Sequence, residues 1–323
     1  MRDKFGRTIN YLRLSITDRC NLRCRYCMPA DGIVQKQHHD ILRYEEMLRI
    51  VTAATSLGIR KVRVTGGEPL VRKGAVDFLA QLVALPGVEE VALTTNGILL
   101  EEQAEALYAA GIRRLNISLD SLRTETFSAI TRGGDLARVQ AGIALADRLG
   151  MNIKLNMVAM RGVNEAEIEA FAALSIDHPW SVRFIEYMPT IREPGWQERI
   201  LSGAEIVSRL RQSWPLEELP SDHDCGPAKP YRIAGAAGML GIITPMTEHF
   251  CGSCNRIRIT STGLAKSCLM TDAAVDLRPC LGADQQEHLV GLLSGVIQNK
   301  PEQHLLSSDP GSAAPFSMAS IGG

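Results

Sequence analysis

The sequence predicts an α/β fold, an incomplete (β/α)6 barrel with a C-terminal extension closing the barrel mouth. Three observations predict it. Apolar strand-like runs alternate with amphipathic helix-like runs from about residue 11 to 187. The unusual residues fall just after the strands, at the carboxyl ends where parallel α/β sheets bind ligands. Past about residue 190 the alternation gives way to loops and a second cysteine group. Six βα units fall short of the eight that close a barrel, which leaves an open barrel or a doubly wound sheet.

In order, "YLRLSI" (11–16) reads as a strand and "RYEEMLRIVTAATSLG" (43–58) as a helix stopped by glycine. "KVRVTGGEP" (61–69) is a strand entering a glycine turn, followed by the helix "AVDFLAQLVAL". "EVALTTNG" (90–97) is a third strand, and the helix "LEEQAEALYAAG" follows it. "RLNISLD" (114–120) precedes a helix at 135–150, and "NIKLNMV" (152–158) precedes "NEAEIEAFAAL". "SVRFIEYM" (181–188) is the sixth strand. After it, "SGAE" (202–205) is a capping box, "ELPSDHDCGPAKPYRI" reads as loop, and a helix is expected near 284–298. This divides the chain into a barrel unit at 1–190, a C-terminal region at 191–310 and a tail at 311–323 ending in Gly-Gly.

The 323 residues are 45% hydrophobic and 22% charged, with 35 basic and 36 acidic side chains and a net charge of -1. No basic bias points to nucleic acid. No apolar run is long enough to span a membrane, and "MRDKFGRTINYLRLS" has no apolar signal-peptide core, so a cytoplasmic location is expected.

Six of the eight cysteines form two groups: Cys20, Cys24 and Cys27, then Cys251, Cys254 and Cys268. A reducing compartment and the clustering argue against disulfides. Structural zinc stays open on spacing alone, with His38 and His39 available to complete the first group. Cys225 and Cys280 lie outside both groups.

CxxxCxxC directly after the first strand, with "GGEP" (66–69) closing the second, resembles the cluster loop of the radical S-adenosylmethionine (SAM) enzymes. In that family three thiolates hold three irons of a [4Fe–4S] cube. The fourth iron takes the amino and carboxylate groups of SAM. Glycines in the turn let ligand atoms approach the backbone. The second group reads "HFCGSCNRIRITSTGLAKSCL", again three ligands and not four. On a strand Arg256 and Arg258 share one face, suited to phosphates.

With "LTTNG", "NISLDSL", "RFIEYMP", "GIITPMTEHFCGSCNRIRIT" and the terminal "IGG", the resemblance extends to the GTP 3′,8-cyclases of molybdenum cofactor biosynthesis, nearly end to end. It implies two [4Fe–4S] clusters, on Cys20, Cys24 and Cys27 and on Cys251, Cys254 and Cys268. It implies SAM contacts at Tyr26, Gly66, Gly67, Glu68, Ser118 and Met188. It implies GTP contacts at Arg13, Arg63, Thr94, Lys154, Arg183, Arg256, Ile257 and Arg258. Arg13, Arg256, Arg258, Gly322 and Gly323 are the expected catalytic residues. Where many relatives place an arginine in the tail, this chain has Phe316.

The implied reaction begins with one electron and cleavage of SAM. Removal of the ribose 3′ hydrogen of GTP and ring closure onto C8 follow. The implied partners are a flavodoxin- or ferredoxin-like electron donor (dithionite in vitro), a downstream cyclic pyranopterin monophosphate synthase and a second copy in a homodimer, with no nucleic acid and no membrane. A peptide-modifying radical SAM enzyme and a non-catalytic zinc or Fe–S protein are the competing readings. Charges inside a barrel are expensive without a partner, and an internal salt bridge to Glu68, Asp120 or Glu186 is the alternative to an anionic ligand. Arg19 and Arg72 read as surface charges.

Overall fold

The computed structural model describes residues 1–188, 195–220, 226–248, 250–282, 284–304 and 318–321. Six strands follow the predicted alternation: β1 (Tyr11–Ser15), β2 (Lys61–Thr65), β3 (Glu90–Thr95), β4 (Arg114–Ser118), β5 (Asn152–Ala159) and β6 (Ser181–Glu186). The helices between and after them are α1 (Tyr44–Ser56), α2 (Ala75–Ala84), α3 (Leu100–Ala109), α4 (Thr124–Thr131), α5 (Leu136–Arg148), α6 (Ile168–Asp177) and α7 (Gly203–Ser213). The C-terminal region adds β7 (Leu216–Glu218), β8 (Lys229–Ile233), β9 (Met239–Ile243), β10 (Arg256–Ile259), β11 (Leu264–Lys266) and β12 (Val275–Asp276), then α8 (Gln286–Gln298) and the short α9 (Met318–Ile321).

All twelve strands belong to one sheet, ordered β12-β11-β10-β1-β2-β3-β4-β5-β6-β9-β8-β7. The extension therefore enters the sheet at both edges: β10 pairs in parallel with β1, and β9 in parallel with β6. Outside them the pairings are antiparallel. Among the described residues β12 and β7 each have a single neighbour, so the sheet is open.

Strand alternation decides how the sheet is covered. Leu12, Leu14, Val62, Val64, Leu93, Leu115, Ile117 and Leu155 pack in one apolar cluster with Met47, Ile50, Phe78, Leu107, Ile143 and Phe171 of the helices. Their neighbours along each strand are polar. A doubly wound sheet needs apolar residues on both faces; this one has them on one. Arg13 (β1), Arg63 (β2), Thr94 (β3), Ser118 (β4), Lys154 (β5), Arg183 (β6), Ile243 (β9) and Arg258 (β10) all line a single cavity. The sheet must curve for eight parallel strands to face one space.

Two elements differ from expectation. α4, "TETFSAIT", was not predicted, because Thr and Ser are weak helix formers. Tertiary contacts hold it: Phe127 and Ile130 are buried, and the carbonyls of Ile130 and Thr131 accept from the N–H groups of Arg25 and Arg23 in the cysteine loop. β8 lies in the stretch read as loop, where two nearby prolines mask a strand paired on both sides. The capping box is present: Ser202 Oγ accepts from Glu205 N at 3.2 Å and Glu205 Oε2 from Ser202 N at 3.0 Å.

Glu186, at the end of β6, ties the extension to the barrel unit. It is fully buried and accepts from Gly203 N at the start of α7 (2.8 Å), from Met246 N (3.0 Å), from Thr247 N (3.1 Å) and from the Thr247 hydroxyl. Glu186→Ala would strand these donors, and a destabilisation of about 3 kcal/mol or more is expected. Urea titration of the apo chain, followed by circular dichroism, measures it.

Candidate active site

The cavity has a volume of about 310 Å³. It gathers most of the predicted residues: Cys20, Cys24, Tyr26, Cys27, Gly66, Gly67, Glu68, Ser118 and Met188 from the proposed SAM side, and Arg13, Arg63, Thr94, Lys154, Arg183, Arg256 and Arg258 from the proposed GTP side. Gly322, Gly323, Phe316 and Cys225 lie outside the described residues. Ile257 differs from the arginines beside it. It sits between the two arginines on β10, so alternation turns its side chain into the apolar cluster on the helix side; only its backbone is left to meet a ligand.

In the parallel register Arg258 stands beside Arg13, and Arg13 beside Arg63. Adjacent strands lie about 4.8 Å apart, so these three guanidinium stems are immediate neighbours. Burial, followed by repulsion from Arg258, Arg63 and Arg256, lowers the Arg13 pKa well below its usual value. Burial and Arg256 bring Arg258 down to about 10. Lys154 falls to about 7, mainly by burial, then through Arg183, Arg63 and Arg114. The Nε atoms of Arg13 and Arg63 and the Thr94 hydroxyl are buried without a hydrogen-bond partner.

The carboxylates that could neutralise this row are engaged elsewhere. Glu68 accepts from Leu70 N (3.1 Å), the Thr95 hydroxyl (2.8 Å) and Asn96 N (2.7 Å). Asp120 accepts from the Tyr26 hydroxyl (2.9 Å) and Val158 N (2.9 Å). Glu186 is taken as described above. Glu90 pairs with Arg114 at 3.0 Å. Glu68, Asp120 and Glu186 thus have hydrogen-bond partners of their own, and the unpartnered Nε atoms of Arg13 and Arg63 favour an anion supplied from outside.

At the carboxyl ends of the strands the cysteine loop lies on the GGEP turn. Gly67 N donates to Thr17 O and Glu68 N to Arg19 O, both at 2.8 Å. A Cβ on Gly67 would stand 2.3 Å from Arg19 O, and one on Gly66 2.7 Å from Thr17 O. These glycines therefore let two backbones meet, a requirement beyond the ligand approach expected for them. Arg132, the only non-glycine residue at positive φ (57°) among those described, donates to the carbonyls of Arg23 (2.7 Å) and Met28 (2.8 Å) around Cys24 and Cys27. Asn96 reaches Cys20 Sγ at 3.8 Å. Arg72, expected on the surface, is half-buried; it donates to the carbonyls of Ile16 and Leu42 (2.7 Å to the latter) and supports the same loop.

The first triad, on a loop resting against the GGEP turn, fits an Fe–S cluster. Among the described residues no three His, Cys, Asp or Glu side chains can hold a single metal ion. His38 and His39 are exposed. A cube several ångströms wide needs its thiolates spread apart. Burial raises the Cys20 and Cys24 thiols and takes Cys27 up to about 12. Such thiols ionise once iron supplies positive charge. In the second triad burial also raises Cys254, but Arg256 and Lys300 outweigh it and bring the thiol down to about 6. Arg256 Nη2 is 3.7 Å from Cys254 Sγ.

Sequence reasoning missed four residues around this site. Asp120 fixes the Tyr26 hydroxyl, and the charged end of "NISLD" was its available signal. Arg7, with Asp3 as its ion-pair partner, donates to the carbonyls of Cys251 (2.9 Å), Glu302 (3.0 Å) and Pro301 (2.7 Å). Arg132 and Lys300 carried no signal, because each looks like an ordinary charge just past a helix end.

Cysteines of this spacing, on a loop resting against a glycine turn at the mouth of a parallel sheet, define a radical SAM enzyme, which uses an Fe–S cluster and SAM. Residues 14–174 match the Radical SAM superfamily, and residues 180–306 match the family described as Molybdenum Cofactor Synthesis C. The chain belongs to the GTP 3′,8-cyclase family. It is 55% identical over 322 residues to the GTP 3′,8-cyclase of Geobacter sulfurreducens, covering 99% of both chains. It is 48% identical over 325 residues to that of Alkaliphilus metalliredigens, covering 100% of both. In fold it is similar to Streptococcus suis SuiB bound to S-adenosylmethionine, with a TM-score of 0.61, 14% identity and coverage of 90% of this chain and 68% of that one.

Two expectations follow from the cation row. A triphosphate favours protonated Lys154 and raises its pKa on binding. Affinity for GTP is therefore full below about pH 7 and falls above it, by up to about tenfold per pH unit until the bound-state pKa is reached. Equilibrium binding of GTP across this range shows the slope, and Lys154→Met flattens it. Arg13→Met removes one of three abutting cations. The apo chain should gain about 1 kcal/mol in stability, read from its melting curve. GTP affinity should drop roughly tenfold or more.

Proposed function

We propose that this chain converts GTP to (8S)-3′,8-cyclo-7,8-dihydroguanosine 5′-triphosphate, a lyase-type reaction in the first step of molybdenum cofactor biosynthesis. The observation that carries the reading is one cavity lined by a thiol triad and by a row of cations in which the Nε atoms of Arg13 and Arg63 are buried without a hydrogen-bond partner. A triphosphate is the ligand this row lacks. When bound, the first cluster and SAM supply the radical that takes hydrogen from the ribose C3′.

The chain's own residues bind and orient. Arg13, Arg63 and Lys154, with Arg183, Arg256 and Arg258, hold the phosphates. Thr94 offers its unpartnered hydroxyl to the same ligand. Tyr26, fixed by Asp120, and Gly66, Gly67, Glu68, Ser118 and Met188 enclose SAM. Cys251, Cys254 and Cys268 would hold a second [4Fe–4S] cluster, which would supply a further binding group for the substrate. The curved sheet acts as a partial barrel, and the extension closes over its mouth to exclude water. Met318 lines the cavity and Ile321 is buried, which supports a role at the site for the chain's terminal residues. The barrel unit at 1–190, the region at 191–310 and the tail at 311–323 divide these roles.

A flavodoxin- or ferredoxin-like protein supplies electrons, a cyclic pyranopterin monophosphate synthase consumes the product, and the active form is a cytoplasmic homodimer. No helix among the described residues is long and apolar enough to cross a membrane.

The test is anaerobic. The chain is reconstituted with iron and sulfide, then given dithionite, SAM and GTP. Both 5′-deoxyadenosine and the cyclised nucleotide should form, and both should depend on GTP. Formation of 5′-deoxyadenosine without cyclised nucleotide would leave the SAM half standing and reject GTP cyclisation.

A further inference from the structure

Lys300 is buried, with 2% of its surface exposed, and it has no carboxylate partner among the described residues. It follows α8, and its backbone N donates to Ile297 O at 3.2 Å. Its side chain runs inward. The ammonium donates to the carbonyl of Ser267 at 2.7 Å and to that of Arg256 at 3.0 Å. Ser267 adjoins Cys268, and Arg256 lies two residues after Cys254. Arg7 complements this link by joining Cys251 O to Pro301 O and Glu302 O. One buried lysine thus ties together the segments that carry two of the three cysteines, and its chain neighbours hold the third.

A buried ammonium needs a counter-charge. Two carbonyl oxygens satisfy hydrogen bonds but carry no full negative charge. Both carbonyls belong to the cysteine-bearing segments, so the ammonium is held where a cluster on Cys254 and Cys268 would supply negative charge. A cube held by three thiolates is itself an anion in its common oxidation states.

We propose that Lys300 is the positioning residue of the second cluster: it sets the spacing of Cys254 and Cys268 and supplies the fixed counter-charge that retains the cluster and eases its reduction. The cation that ties the first triad's loop, Arg132, is exposed, and the thiols there face Asp120 and each other. The two clusters should therefore differ in their response to a single lysine. The inference rests on the two-cluster reading above.

The test uses the full chain, reconstituted anaerobically, as wild type, Lys300→Met and Lys300→Arg. Iron and sulfide per chain, release of iron to a chelator, and the midpoint potential of each cluster by electron paramagnetic resonance are measured. In Lys300→Met the first cluster and SAM binding are retained. The second cluster is held about tenfold or more weakly, and whatever remains is reduced at a lower potential. Lys300→Arg restores retention at least in part. Unchanged iron and potentials in Lys300→Met would overturn the proposal. So would equal loss of both clusters together with SAM binding, which marks a general fold residue. A wild-type chain holding the iron of one cluster would reject the two-cluster reading, and this role with it.

Discussion

The structure depends on an electrostatic cost accepted in the middle of the sheet. Arg258, buried, and Arg13 and Arg63, half-buried, occupy neighbouring positions on three parallel strands. A fold selected for stability alone would pair these charges or replace them. Here, among the described residues, the cavity carboxylates Glu68 and Glu186 are committed to backbone turns and Glu90 to Arg114. Glu68 locks the TTNG turn, Asp120 locks Tyr26, and Glu186 locks the extension. The acids build the walls, and the bases are left for the ligand.

This division also explains why the sheet has one apolar face. Residues 12, 14, 62, 64, 93, 115 and 117 anchor the helices, while the residues between them are free to be polar. Packing strength comes from one side, and chemistry is placed on the other. The C-terminal region is part of the same plan. β10 brings Arg256 and Arg258 into the row, and β9 presents Gly241 opposite Arg183. A side chain at Gly241 would approach the Arg183 stem to 3.1 Å.

Much of this was legible in the sequence, because periodicity reports burial directly. The six strands and five of the helices between them followed from alternation, and the arginines stood out as charges in apolar patterns. Both cysteine triads were visible by spacing. What stayed hidden was long-range. α4 has weak intrinsic propensity and is held by the cysteine loop, a contact that no local window contains. β8 is masked by prolines and defined by its neighbours. Arg132 and Lys300 act through carbonyls of distant segments, and backbone acceptors leave no mark in a sequence. For Ile257 the resemblance implied a ligand contact, and strand alternation directs its side chain into the apolar cluster and leaves the backbone for that contact.

The pairing of β1 with β10 has a consequence for the order of events on the ribosome. Leu12 lies opposite Ile257, so the first strand made waits for one of the last to cover its open edge. Until then the N-terminal unit presents a strand edge and a nascent row of arginines, while its cysteine loop has already emerged. Insertion of the first cube before release would load an incomplete sheet. Maturation is better served if iron delivery follows completion of the chain, when both triads exist and β10 has sealed the edge.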